Sequence, residues 1–571
     1  MTGRRIGALA LALVTCAVFA RAWGYGLANI DDYLYVWRYA EVTDGLSLRG
    51  LRWALTFTGE AIWMPLVWAS YQLDFSLAGW CGADAATVHH VHSVLLHALN
   101  AVLVLRLLAR LGPKGDAAPA LTAFFAALFW AIHPLRVESV VWIASRKDLL
   151  SLTGLVLALT EWVDWRRTGG AGRYVRSLAW FAVGALAKPS VMTYPALAGA
   201  LDVLVLGVRR EVRSFVPAYV APCALGGAVA LAGTLVQAVG GGTAATAGVP
   251  FGWRVLNAVA GYGIQLWHTL VPWDLAVQCT LRYPAWPRFL LPGAALTAAV
   301  GWWAWRRRSG GIAFFTAGIL PMLGLVGFGF HAFADRFTYI PAIGLSLVAA
   351  EGLARVADVR LRAFAGAAGA VALGALCVRQ VGFWEDDRTL FAHTCAVDGP
   401  LNANAHFELG RAEWELGHDV TNAVAAYAAA FRADPETVLA QPQHYMFALA
   451  EGGFAEEAFA FKKELDAWNA RTTAAAREAR DGAEVLRPEY ALARIAFLLS
   501  DPATRRGGAA ELEEYLAQPR RTGTRDGLYL KGWLRALEGR ADEARRIWSA
   551  LPDGTVRTED PYMRYRFLGR R

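Results

Sequence analysis

Two adjacent acids, Asp31 and Asp32, follow directly on an apolar N-terminal segment. A carboxylate immersed in a bilayer costs roughly 3 kcal/mol, so acids at such a boundary ask for a reason. One of the pair can accept a proton from an attacking hydroxyl while the other orients it or supports a cationic sugar centre. A solvated helix end is the competing reading. Five cations form a second group: Arg136, Arg146 and Lys147 in HPLRVESVVWIASRKD, Lys188 in LAKPS, and Arg336 in HAFADRFTYIP. Gathered at one level, they would hold a phosphate through their N–H donors. Local pairing competes here too: Arg136 with Glu138, Lys147 with Asp148, Arg336 with Asp335. A third group is His89, His90, His92 and His97, of which His89 and His97, with Ser93, share a helix face. With no HExxH spacing and no Cys partner, these are expected to be hydrogen-bonded boundary histidines, and no metal is expected.

Elements that position these groups follow from composition. The 571 residues are 56% hydrophobic, with 23 Trp and a mean hydropathy of +0.32, which excludes disorder and an ordinary soluble enzyme. Residues 1–383 carry 31 basic and 18 acidic side chains, and the remainder 25 and 30, so the chain has two environments. A bilayer core about 30 Å thick needs about 20 apolar residues per helix. Eleven segments meet that expectation, near 5–23, 88–110, 117–134, 148–165, 174–188, 190–208, 214–236, 288–305, 312–330, 338–356 and 361–380. The stretch 256–271 is interrupted by Gln265 and His268 and is expected to be interfacial or re-entrant.

Arg4/Arg5, Arg110/Lys114, Arg166/Arg167/Arg173, Arg209/Arg210/Arg213, Arg306/Arg307/Arg308 and Arg360/Arg362 then alternate onto one side, which the positive-inside rule makes cytoplasmic. The N-terminus is expected inside. Loop 24–87, the acids, the five cations and everything after Val381 are expected on the outer face. The first segment also reads as a signal peptide with a Val18–Ala20 cleavage site, which would leave the later topology unchanged. Among six Cys there is no C-x-x-C, and a Cys81–Cys279 bridge stays open.

The tail, 384–571, is expected to be an all-helical solenoid. Asn402–Pro435 is a 34-residue helix pair with Leu409, Gly410, Gly417, Ala423, Tyr427, Ala430 and Pro435 near tetratricopeptide spacing. GGFAEEAF (452–459) echoes its second half, and 528–551 reads as another helix pair; an unrelated helical bundle is the alternative. No P-loop, glycine-rich phosphate loop or nucleophile elbow stands in a strand–helix context, so nucleotide-driven transport is not expected. The cytoplasmic loops account for the basic surplus, so no nucleic-acid partner is expected.

The acid pair at 31–32, MPLVWASYQLD (64–74), HHVHSVLLHALNA (89–101), HPLRVESVVWIASRKDLLS (133–151), LAKPSVMTYP (186–195), RVLNAVAGY (254–262) and ADRFTYIPAIGL (334–345) occur in that order. Together they resemble bacterial membrane proteins with tetratricopeptide tails, similar to the eukaryotic transmembrane O-mannosyltransferases that carry such repeats, in the GT-C glycosyltransferase class. The resemblance covers essentially 24–460. It implies a polytopic transferase of the bacterial inner membrane (1–383) with a periplasmic repeat domain (384–571). The donor implied is a polyprenyl-phosphate sugar such as a mannosyl lipid. The resemblance makes Asp31 or Asp32 the base, and Arg146, Lys147, Lys188, Arg336 and Arg136 are expected to bind the donor phosphate. Glu138, His133 and His90 are expected to support them. No cofactor is implied. Ser93 and Ile62-Trp63-Met64-Pro65 depart from the family pattern, so sugar and acceptor are not inherited.

The reaction expected is inverting transfer to a hydroxyl, on protein Ser/Thr, with the repeats presenting a polypeptide. Two rivals stand beside it: a glycolipid or envelope-polysaccharide transferase, and a non-catalytic membrane receptor or scaffold.

Overall fold

The computed structural model describes residues 2–28, 30–111, 117–208, 212–239, 250–277, 287–325, 333–479, 488–518 and 525–549, and these are helical with no strand among them. The chain divides into two compact units, Met1–Asp386 and Asp387–Arg571.

In the first unit, α1 (Thr2–Phe19) leads through a 3-10 turn, Ala20–Gly24, into the first loop. The loop holds α2 (Leu48–Thr56), whose N-terminal amides are capped by Ser47 Oγ accepting from Gly50 N–H at 3.0 Å. It also holds α3 (Pro65–Cys81), opened by Pro65 at its first turn and closed by Gly82 with φ 64°. Next come α4 (Ala85–Leu111) and α5 (Ala117–Ala131). After α5 the chain breaks at His133-Pro134 and resumes as a short helix, Val137–Val141, bent by 57° from α5. Proline supplies no amide to the ladder there, and His133 Nδ1 instead accepts the Leu135 N–H at 3.2 Å. Then follow α6 (Arg146–Thr168), α7 (Ala171–Ala185), a broken segment Pro189–Val205, α8 (Val212–Val239), α9 (Phe251–Leu270), α10 (Pro287–Arg307), α11 (Gly310–Ile319), α12 (Ala342–Ala354) and α13 (Val359–Gly382).

Four helices of the described residues are long and apolar enough to cross a bilayer: Arg5–Gly24, Ala85–Leu111, Val216–Val239 and Val359–Gly382. The bent pair Ala120–Ala131 with Pro134–Val141 makes a fifth if it counts as one span. That is fewer than the eleven expected. Pro189–Val205, Gly310–Met322 and Ala342–Ala354 are apolar but shorter, the first two interrupted by prolines and 3-10 or π turns. The stretch 256–271, expected to be interfacial or re-entrant, lies almost wholly in the continuous helix α9.

Neighbouring helices approach through glycine. A Cβ on Gly154 would stand 2.6 Å from Gly184 N and 2.8 Å from Trp180 O, so α6 and α7 touch backbone to backbone. Gly263 and Gly293 do the same for α9 and α10, where a Cβ would stand 2.0 Å from Gly293 O. Small residues of this kind let apolar helices gain dispersion contact without a hydrophobic driving force between them.

The second unit is a succession of helices: α14 (Asp387–Asp398), α15 (Ala403–Glu415), α16 (Val420–Ala433), α17 (Pro442–Gly452), α18 (Ala455–Ala479), α19 (Pro488–Ser500), α20 (Arg505–Ala517), α21 (Arg525–Leu537) and α22 (Ala541–Ser549). Asn402 and Asp419 cap the pair α15–α16. One core runs through the unit from Phe407 and Tyr427 past Phe461 and Trp468 to Trp533 and Trp548. Gly410 gives the Tyr427 ring its place, and Gly532 that of Trp548.

The close contact of α6 and α7 is directly testable. Gly154→Leu should destabilise the detergent-solubilised protein by roughly 1–3 kcal/mol or more, read as a fall in the thermal unfolding midpoint; an unchanged midpoint would refute the packing.

Candidate active site

The first loop is fastened to the segment 142–147 by Asp32. Its carboxylate is fully buried and accepts two backbone N–H groups, from Ala28 at 2.9 Å and from Ala144 at 2.7 Å. Those bonds explain why an acid is tolerated there: the charge is met by fixed amide dipoles. Its neighbour is different. Asp31 is half-buried, and its carboxylate makes no hydrogen bond or ion pair with any described residue. It lies within electrostatic reach of Lys147 and of Arg336. Adjacent acids in sequence thus have unlike environments. Asp31 stands two residues before a π-helical stretch, Tyr33–Trp37, of a kind often found at functional sites.

The five cations do gather, but most are already engaged. Arg146 is fully buried, paired with Asp74, and donates to His89 O at 2.6 Å and to Ser93 Oγ at 3.3 Å. Arg336 pairs with Glu138, whose other oxygen accepts the Arg336 backbone N–H at 2.8 Å. Lys188 pairs with Asp148 at 2.5 Å. Arg136 turns to Thr338, donating to its carbonyl at 3.0 Å and its Oγ1 at 2.6 Å, while its guanidinium lies near the Trp130 and Tyr339 rings. The partners are not those the sequence suggests: Glu138 belongs to Arg336, and Asp148 to Lys188. Lys147 alone of the five has no carboxylate or carbonyl partner among the described residues. Its ammonium stands 5.1 Å from the Tyr35 ring centre and 5.8 Å from that of Trp142, a cation–π setting that leaves its N–H donors unspent.

Two buried polar atoms beside it are orphaned: the Trp142 indole N–H and the Asp148 Oδ2. One donor and one acceptor without partners, next to an unpaired ammonium and an unpaired carboxylate, form a site built for a ligand of mixed polarity.

Asp74 is a residue that sequence reasoning left without a role. It sits inside the otherwise apolar α3 and accepts from His89 Nδ1 at 2.7 Å and His92 Nδ1 at 2.5 Å, besides Arg146. Burial would raise its carboxyl, but Arg146 and the two histidines hold it below the usual carboxylate range. The histidines are accounted for by hydrogen bonds: His90 donates to Gly26 O at 3.0 Å, His97 to Ala131 O at 2.8 Å, and His133 to Thr269 O at 3.0 Å. His90 and His133 therefore brace the loop and the α5 break and are not in contact with Asp31. Cys81 is a free, exposed thiol, and Cys279 lies outside the described residues, as does His331.

The site is walled by the first loop. Tyr35 is buried, and burial pushes its hydroxyl well above its usual range, with Asp31, Tyr71 and Glu60 acting in the same direction. Trp68 packs edge-on against Tyr35, Tyr39, Trp53 and Phe57. Beyond Phe57 the chain turns through Gly59, Glu60 and Ala61. Glu60 and Ala61 are both left-handed, with φ of 57° and 55°, a conformation that costs a non-glycine residue about 1–2 kcal/mol.

The relatives found for the chain are protein O-mannosyl-transferase TMTC4 of Homo sapiens, 24% identical over 427 residues, and its Mus musculus counterpart, 24% identical over 431. Each alignment takes in 62% of this chain and 56% of the relative. The chain thus spans about half the length of the curated relatives it matches. No family model matches the chain, and no solved structure matches it.

The unlike roles of the two acids predict unlike thermal behaviour. Asp32→Asn puts an N–H where a backbone N–H must be accepted and should cost roughly 1–3 kcal/mol of stability. Asp31→Asn should leave the unfolding midpoint unchanged, and equal losses from the two variants would sink the assignment. In sequence the chain is thus similar, at 24% identity, to a protein O-mannosyl-transferase.

Proposed function

We propose that this chain is a glycosyltransferase of the GT-C type that moves a hexose from a polyprenyl-phosphate carrier to a hydroxyl of a polypeptide on the outer face of the membrane. The observation that carries this reading is the unpaired Asp31 carboxylate within reach of the unpaired Lys147 ammonium, in surroundings where the other acids and bases are spent on one another. The distant likeness to a protein O-mannosyl-transferase supports the choice of mannose and of a Ser/Thr acceptor.

In the proposed reaction the acceptor hydroxyl gives its proton to Asp31 as its oxygen attacks the anomeric carbon. The bond from that carbon to the phosphate oxygen breaks, and the polyprenyl phosphate leaves as an anion. Lys147 stabilises the charge that develops on it, with the Trp142 N–H as an additional donor. Arg336 and Lys188 add field from behind without giving up their carboxylates. A single displacement inverts the anomeric centre. The polyprenyl tail stays among apolar helices, which is why the site is expected at a membrane boundary. In this proposal the N-terminus is cytoplasmic in a bacterial inner membrane, some of the shorter apolar helices complete the polytopic domain, and the second unit is a tetratricopeptide-like solenoid on the outer side that presents the acceptor segment.

Purified protein, a polyprenyl-phosphate mannose and a Ser/Thr-containing peptide test the reading. Asp31→Asn should lower kcat about 10²–10⁴-fold, and Lys147→Gln about 10²–10³-fold, with unfolding midpoints unchanged. Transfer that survives both substitutions would refute it. Deletion of 387–571 should spare donor hydrolysis and abolish transfer to polypeptide.

A further inference from the structure

A second polar cluster lies in the first loop, apart from the acid–cation group. Tyr39 donates its hydroxyl to Glu60 Oε1 at 2.6 Å, and Arg38 stands 3.3 Å from the same oxygen. Glu60 Oε2 has no partner among the described residues. Around them are aromatic faces: Tyr39 lies 4.9 Å from Phe57 and 5.4 Å from Trp53, and Trp53 and Phe57 stack at 4.4 Å. Glu60 is carried on the left-handed turn, and Gly59 is required beside it because a Cβ there would meet the Phe57 ring at 2.3 Å. Tyr35, whose ring lies 5.1 Å from the Lys147 ammonium, and Tyr39, which holds Glu60, pack on the same Trp68 ring at 5.8 and 6.0 Å. Glu60 is therefore near the reaction centre without being in the ion-pair network.

We infer that Glu60, with Arg38 and Tyr39, forms a subsite that grips the hydroxyl groups of the transferred sugar ring and sets which hexose is accepted. The inference rests on the reading of the chain as a sugar transferase. The chemistry is that of carbohydrate recognition: a carboxylate accepts from ring hydroxyls, a guanidinium donates to them, and an aromatic face packs against the C–H side of the ring. A solvated loop gains nothing from two consecutive left-handed non-glycine residues, whereas a recognition turn holds a carboxylate in place at that cost. Glu60 is a specificity-determining residue here, and the proton transfer remains with Asp31.

The test uses the full-length protein with polyprenyl-phosphate mannose, glucose and galactose as competing donors. Wild type should prefer one epimer. Glu60→Gln should reduce the ratio of kcat/KM values about tenfold to hundredfold, the worth of a hydrogen bond to a charged group. Glu60→Gly removes the carboxylate and relieves the left-handed strain, so it should melt no lower than wild type while losing the same discrimination. Tyr39→Phe, which frees Glu60 without removing it, should weaken the preference less. An unchanged epimer ratio in Glu60→Gly, or a wild type that uses all three donors alike, overturns the subsite while transfer itself persists. Absence of transfer from any donor overturns the transferase reading and this inference together.

Discussion

The structure of the site depends on one fully buried carboxylate. Asp32 spends both oxygens on backbone amides, one four residues behind it and one 112 residues ahead. Those two bonds fix the first loop against the segment between the bent helix and α6. Both carboxylate oxygens are met by amide dipoles, so the clamp is electrostatic as well as geometric. Asp31, one residue back, makes no hydrogen bond through its carboxylate to a described residue and lies within electrostatic reach of Lys147 and Arg336. Had the loop been pinned by apolar contact alone, nothing would distinguish the two neighbours.

The cations obey the same economy. Arg146, Arg336 and Lys188 each have a carboxylate, and Arg136 has a carbonyl, a hydroxyl and two rings. Burying an ion without such partners is prohibitive in a low-dielectric interior. The cluster is therefore nearly neutral by itself and does not need a bound anion to exist. What remains after pairing is Asp31, Lys147, the Trp142 N–H and one oxygen of Asp148, and the proposed reaction is assigned to that remainder. A phosphate would enter a field of positive sign produced chiefly by Lys147, while the paired ions keep the walls rigid.

The helical character and the apolar first unit were legible from composition and period, and the helix pair 402–435 from its small and aromatic positions. The number of long apolar helices was not, because prolines and π or 3-10 turns near 134, 189 and 321 shorten them, and hydropathy alone does not register such breaks. At the site, sequence placed the right residue types together but not their pairing. Local proximity suggested Glu138 for Arg136 and Asp148 for Lys147, whereas the fold brings Arg336 across 198 positions and Lys188 across 40. Asp74 was visible as an acid in an apolar helix, a signal that intramembrane or buried charges have partners. Glu60 carried no signal at all, since its exceptional feature is a backbone angle.

That last point has a physical consequence for how this loop works. The aromatic cluster of Tyr35, Tyr39, Trp53, Phe57 and Trp68 is a rigid body, edge packed against edge around the buried Trp68. Within it burial above all, with Asp31, Tyr71 and Glu60 acting in the same direction, opposes ionisation of the Tyr35 hydroxyl. Tyr35 therefore stays a neutral phenol. In the proposed reaction Asp31 would act on a hydroxyl that must lose its proton and Glu60 on hydroxyls that must keep theirs, while the aromatic cluster around Trp68 holds the loop that carries both acids.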